Sequence, residues 1–119
     1  MAKPGKKGIA RILKATQYSW QGLKAWIHEA AFRQELLLVT AGIPLAFWLA
    51  EDKSELLWLI IPLFILVIAE LINSAIEAVV DRISDEQHEL SGRAKDIGSA
   101  IVFVSLILLT VTWAIVLYY

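Results

Sequence analysis

LLWLIIPLFILVIAELINSAIEAVVDRI, residues 56–83, decides the fold, because an apolar run suited to a bilayer continues unbroken into a segment that carries carboxylates. On a helix turning about 100° per residue, Glu70, Asn73, Ser74, Glu77 and Asp81 gather on one side, while Leu71, Ile72, Ile76 and Val79 point elsewhere. A carboxylate at the middle of a bilayer costs roughly 2.5 to 3.5 kcal/mol on insertion scales, against a total stability of about 5 to 15 kcal/mol. Such residues face a site, a cavity or a partner, and not hydrocarbon.

The whole composition agrees with this placement. With 119 residues, 58% of them hydrophobic, and a mean hydropathy of +0.63, the chain is too apolar for a soluble domain of its length. The absence of Cys excludes disulfides, thiolate zinc sites and a cysteine nucleophile, and two His are too few for a histidine metal cluster. The net charge of −1 hides an uneven distribution, since Lys3, Lys6, Lys7, Arg11, Lys14, Lys24 and Arg33 all precede the first long apolar run. No nucleic-acid partner is expected.

These patterns predict an all-α membrane protein forming one integral-membrane domain over 1–119: a surface helix over about 6–28 and membrane helices over about 29–49, 55–83 and 92–118. The third span is apolar enough unaided, broken only by Gly98, Ser99, Ser105, Thr110 and Thr112. The first is shorter and must borrow from 29–35, with Arg33 and Glu35 snorkelling at the interface. Pro44 and Pro62 are tolerable where neighbouring helices satisfy the carbonyls they free. Ahead of the spans, Ile9, Ile12, Leu13, Trp20, Leu23 and Ile27 recur at helical spacing, with Arg11, Lys14, Gln21 and Lys24 in other directions. This reads as a basic amphipathic helix on the membrane surface and not as a signal peptide.

Charge sets the orientation. The turn AEDKSE at 50–55 holds one Lys against three acids, whereas the connection at 81–95 holds Arg82, Arg93 and Lys95. The positive-inside bias therefore puts the amino terminus and the second connection in the cytoplasm, and the acidic turn and carboxyl end outside. Trp48, Trp58, Tyr118 and Tyr119 then sit at the outer interface, and the polar stripe meets the cytoplasmic leaflet.

The available chemistry is that of oxygen ligands and a few cations. Glu29 and Glu77 lie near the cytoplasmic ends of their helices, and a hard cation such as Mg²⁺ takes one or two carboxylates plus substrate phosphates. The connection SDEQHELSGRAKDIGSA at 84–100 brings Glu86, His88, Arg93 and Lys95 beside Gly92 at the mouth of that site, where cations suit a polyphosphate. Glu70 lies two turns deeper than Glu77, roughly 10 Å away at 1.5 Å per residue, placed to take a proton from a hydroxyl at the membrane boundary. Each residue also has a plainer role. A polar stripe can join helices by interhelical hydrogen bonds, a basic helix can be an anchor, Arg93 and Lys95 can serve topology alone, His88 can be merely solvated, and Trp113 can be belt or packing. No GxxxxGK[ST] loop, strand-linked GxGxxG or HRD and DFG set is present, so phosphoryl transfer would need another scaffold.

Four stretches suggest one. EAAFRQE at 29–35, ELINSAIEAVVDRI at 70–83, HELSGRAKDIGSA at 88–100 and YSWQGL at 18–23 closely resemble the small bacterial integral-membrane diacylglycerol kinases. The resemblance implies ATP-dependent phosphorylation of diacylglycerol to phosphatidic acid in the bacterial inner membrane, by a homotrimer with sites shared between neighbouring subunits. On matching positions it implies Glu70 as general base with Asn73 in support, and Glu29 and Glu77 holding Mg²⁺. Arg11, Tyr18, Glu86, Gln87, His88, Lys95 and Asp96 would join these two glutamates around the nucleotide. The lipid would be bordered by Arg11, Ala15, Ser19, Trp20, Trp26, Ala31, Arg33, Glu35, Trp48, Glu70, Ser99 and Trp113. Gln87 stands where an aromatic is common, Lys24 where Arg is common, and the 50–55 turn differs altogether. The related undecaprenol kinases share the fold and much of the acidic stripe, so that activity is the alternative within the fold, and a non-catalytic membrane assembly subunit is the alternative outside it.

Overall fold

The computed structural model describes residues 7–27, 32–83 and 88–119, those at 32 and 33 by backbone alone. Among these residues the chain is entirely helical: α1 (Ile9–Ile27), α2 (Phe32–Leu49), α3 (Lys53–Ile83) and α4 (Glu89–Tyr118). Two compact units are present, Met1–Arg33 and Gln34–Tyr119. The first holds α1, and the second holds α3, α4 and nearly all of α2.

Helix α1 begins after Gly8, whose φ of 65° is a conformation that side chains disfavour, and whose carbonyl accepts the Ile12 N–H at 3.2 Å. Its apolar row, Ile9, Ile12, Leu13, Trp20, Leu23 and Ile27, is exposed. Lys24 Nζ sits 5.9 Å from the Trp20 ring centroid. Tyr18, on the opposite side, is half-buried, and Trp26, at the edge of the row, is buried. The amphipathic pattern expected over 6–28 is thus a regular helix with one greasy side.

In the second unit, only residues 50–52 separate α2 from α3, a connection that makes the two helices antiparallel neighbours. Asp52 and Glu55 close the start of α3: Glu55 N–H donates to Asp52 Oδ1 and Glu51 N–H donates to Glu55 Oε2, both at 2.8 Å. This is a variant of the reciprocal capping box, and it satisfies two amides that a helix start leaves open. The buried positions of α3 are Leu59, Pro62, Leu63, Leu66, Ala69 and Glu70. Recurring at intervals of three and four, they form a seam like that of a coiled coil. Against this seam α4 buries Gly98, Ser105 and Leu109. Leu63, Leu66 and Leu109 make the core, flanked by Val39 and Ile43 of α2 and by Val102, Leu106 and Trp113 of α4. Ser105 can be buried because its hydroxyl donates to the Ile101 carbonyl of its own helix at 2.9 Å.

Two further contacts lock this unit together. A side chain at Gly42 of α2 would meet both δ-methyls of Leu63 at 3.1 Å, so glycine lets α2 approach α3 closely. Pro62 has no N–H and leaves the Trp58 carbonyl without its usual donor. At the adjacent carbonyl, Leu59, the Trp113 indole Nε1 of α4 donates at 3.0 Å.

Helices α3 and α4 are both long and apolar enough to cross a membrane, yet only 33% and 17% of their most apolar stretches are buried within the chain. They are therefore not the core helices of a water-soluble domain. Phe64 and Ile68 of α3, Phe103, Val104, Ile107 and Val111 of α4, and Phe47 and Trp48 of α2 all face outward. Helices that are apolar all round need a surrounding that is not water. Residues 34–49 of α2 form a shorter apolar helix.

Candidate active site

The stripe predicted on α3 is the continuation of its core seam. Below Leu66 the same side of the helix carries Glu70, Asn73, Glu77 and Asp81, and α4 is reached by Asn73, which lies against Gly98, and by Asp81, which pairs with Lys95. The antiparallel register follows from three contacts: Leu59 with Trp113 at one end, Asn73 beside Gly98, and Asp81 with Lys95 at the other. Glu70 is 5% exposed, whereas Glu77 and Asp81 are open to solvent. A gradient runs from a buried carboxylate to water along one face.

Within the stripe, Asn73 Nδ2 donates to Glu77 Oε1 at 3.2 Å, one helical turn away. The other end of that carboxamide, Oδ1, is buried with no hydrogen-bond partner among the described residues and lies against Gly98. Lys95 Nζ meets Asp81 Oδ1 at 2.7 Å, with both side chains about half exposed. Glu77 adds a second, weaker negative influence on the same ammonium. The pair closes the water-facing mouth of the seam, but its exposure makes it a weak source of stability.

Other anticipated residues take different places. His88 is the N-cap of α4, with extended backbone (φ −124°, ψ 140°) and Nδ1 accepting the Leu90 N–H at 3.1 Å. Arg93 pairs with Glu89 at 3.5 Å on the exposed surface of its own helix. Asp96 and Ser99 are exposed. Trp113 lies at the level of Leu59, about 16 Å along α3 from Glu70 at 1.5 Å per residue, and its indole is engaged in packing. Trp48 is exposed near the end of α2. Glu35 is half-buried, and its Oε2 has no hydrogen-bond partner among the described residues. On α1, Arg11, Ala15, Ser19 and Trp20 are exposed, with Ser19 Oγ donating to the Ala15 carbonyl. Glu29, Ala31, Glu86 and Gln87 lie outside the described residues, as does the side chain of Arg33.

The structure thus aligns Glu70, Asn73, Glu77 and Asp81 along one side of α3 and joins Asn73 to Glu77 and Asp81 to Lys95. Among the described residues no three metal-ligating side chains converge. Glu77 nonetheless suits a hard cation that takes its remaining ligands from phosphate and water: it is exposed, and Asn73 engages only one of its oxygens among the described residues. Two features escaped the sequence reading. Helical periodicity puts Asp81 in the stripe but does not show Lys95 as its partner, and Gly98, in sequence only a break in an apolar run, lies against Asn73. A glycine inside an otherwise apolar helix was the available signal.

Comparison with known proteins adds the family. A sequence model described as prokaryotic diacylglycerol kinase matches residues 17–117. The chain is 53% identical over 112 residues to a protein of Escherichia coli (strain K12) named diacylglycerol kinase, covering 93% of this chain and 92% of that one. A Pseudomonas aeruginosa protein of the same name is 52% identical over 114 residues, covering 95% and 93%, and one from Haemophilus influenzae 47% identical over 113, covering 94% and 96%. A match that spans α3, α4 and their polar seam, shared with relatives of nearly equal length, places this chain in the prokaryotic diacylglycerol kinase family.

Proposed function

We propose that the protein is a membrane lipid kinase that transfers the γ-phosphate of ATP to the hydroxyl of 1,2-diacylglycerol, giving phosphatidic acid. The observation that carries this reading is the gradient on α3, from Glu70 buried in the seam, through Asn73 bonded to Glu77, to Lys95 at the water-facing end. The names of the relatives support the substrate. Glu70 accepts the proton of the lipid hydroxyl as the hydroxyl oxygen attacks the terminal phosphorus, a role that general bases fill with gains of about 10² to 10⁴ in rate. The bond from that phosphorus to the bridging oxygen breaks, releasing ADP. Asn73 holds the Glu77 carboxylate in place. Lys95 exchanges Asp81 for phosphate oxygens when ATP enters, and Arg11, Tyr18, Glu86, Gln87, His88 and Asp96 surround the nucleotide.

Glu77 and Glu29 would hold Mg²⁺, which when bound neutralises charge on the phosphates. Positioning and charge compensation dominate this chemistry, and the side chains contribute little covalent work. The lipid need not leave the bilayer, because its hydroxyl lies at headgroup depth, and ATP alone arrives from water.

The reading includes an architecture. Helix α2 lies in a third span, the amino terminus faces the cytoplasm and the carboxyl terminus the periplasm of a bacterial inner membrane, and three copies assemble. The large apolar area that one chain leaves outward supports lipid or neighbouring copies around it. Purified protein in mixed micelles with Mg²⁺, labelled ATP and either diacylglycerol or undecaprenol tests the activity. Labelled phosphatidic acid is the expected product. Transfer to undecaprenol alone would reassign the substrate, and transfer to neither would remove the kinase reading.

A further inference from the structure

Gly98 stands in α4 where an added Cβ would lie 2.5 Å from Asn73 Oδ1, 3.5 Å from Asn73 Cγ and 3.4 Å from Ile76 Cδ1. The first separation is one that real Cβ atoms essentially never show. A side chain at the other glycine of α4, Gly92, would meet nothing within 4 Å among the described residues, so the close fit described here belongs to position 98. Glycine in a helix interior is unfavourable relative to alanine, and its presence at a buried position calls for a packing reason. Here that reason is a single carboxamide. Shape against Gly98 confines its oxygen side, and one hydrogen bond to Glu77 Oε1 at 3.2 Å holds its nitrogen side.

We propose that Gly98 is a positioning residue for phosphoryl transfer: its missing side chain seats the Asn73 carboxamide against α4 and so keeps Nδ2 aimed at Glu77. This rests on the roles given above to Asn73 and Glu77, though the geometric part can be read without turnover. A methyl group at 98 displaces the short, rotatable carboxamide before it displaces helix backbone. Glu77 then loses its donor and is held less firmly for the cation.

The test uses the full-length protein in detergent micelles as four forms: unaltered, Gly98→Ala, Asn73→Ala and the double variant. The Asn73 side-chain amide resonance, identified by its disappearance in Asn73→Ala, is expected to shift in Gly98→Ala. In the kinase assay, the Mg²⁺ concentration giving half-maximal rate rises about tenfold or more in each single variant, the scale of losing a hydrogen bond to a charged group. It rises no further in the double variant, and the KM for lipid stays within about twofold, since the contact acts through Glu77 and the cation. Additive effects, or an unmoved Asn73 resonance in an active protein, would overturn the inference alone. Absent turnover in the unaltered protein would remove the kinase reading instead. Should Gly98→Ala fail to assemble, the double variant decides, because truncating Asn73 removes the clash. A folded double variant with the behaviour of Asn73→Ala supports the proposal, and an unfolded one shows that α4 needs glycine for backbone packing.

Discussion

Two side chains show how local chemistry sets what each residue can do. Glu70 is buried where its neighbours on α3 are Leu66 and Ala69, so replacing it with the isosteric amide removes the base without opening a cavity. Glu70→Gln is expected to keep the helical fold and assembly and to lower lipid phosphorylation by about 10² to 10⁴-fold; unchanged turnover would withdraw its role as base. His88 is different, because its ring already caps α4. His88→Ala should cost about 1 kcal/mol of stability, and His88→Asn, which supplies another good cap, should restore it. Thermal unfolding in detergent reads the cap. An ATP KM raised in both variants would show that the ring serves the nucleotide as well.

At the scale of helices, the α3 and α4 pair depends on shape and on a few polar contacts, because burial in lipid gives no hydrophobic drive for one helix to join another. Leu66 is fully buried between α3 and α4, and Leu66→Ala leaves a void that its neighbours cannot fill. The expected loss is about 2 to 5 kcal/mol, measured as a lower unfolding midpoint. Trp113→Phe keeps most of the packing volume but deletes the hydrogen bond to the Leu59 carbonyl beside Pro62, for an expected loss of about 1 kcal/mol. Activity of the folded Trp113→Phe protein should be little changed, as its indole is committed to the level of Leu59, about 16 Å along α3 from Glu70.

For the whole molecule, the decisive property is how much apolar surface a single chain leaves outward. Three copies in one particle would show a protein mass three times 13.3 kDa by light scattering corrected for detergent; a monomer retaining full activity would refute the assembly. Orientation is equally open to measurement. The chain has no Cys, so single cysteines introduced at Lys7 and at Ser54 report their own side alone. An impermeant thiol reagent applied to whole cells should label the Ser54→Cys protein and spare the Lys7→Cys protein.

Hydropathy and helical periodicity alone determined that the chain is helical, that its apolar runs suit a membrane, that α1 is amphipathic, and that Glu70, Asn73, Glu77 and Asp81 share one side of α3. Those properties follow from residue type and a fixed rotation per residue. Where that side points was decided only by packing, since a helix wheel carries no information about its neighbours: the side that buries Leu59, Leu63 and Leu66 also buries Glu70 and brings Asp81 to Lys95 of α4. The same holds for Asp81 with Lys95, Trp113 with Leu59 and Asn73 with Gly98. Each pair joins residues distant in sequence whose meeting depends on the antiparallel register of two helices, a quantity that no local pattern encodes.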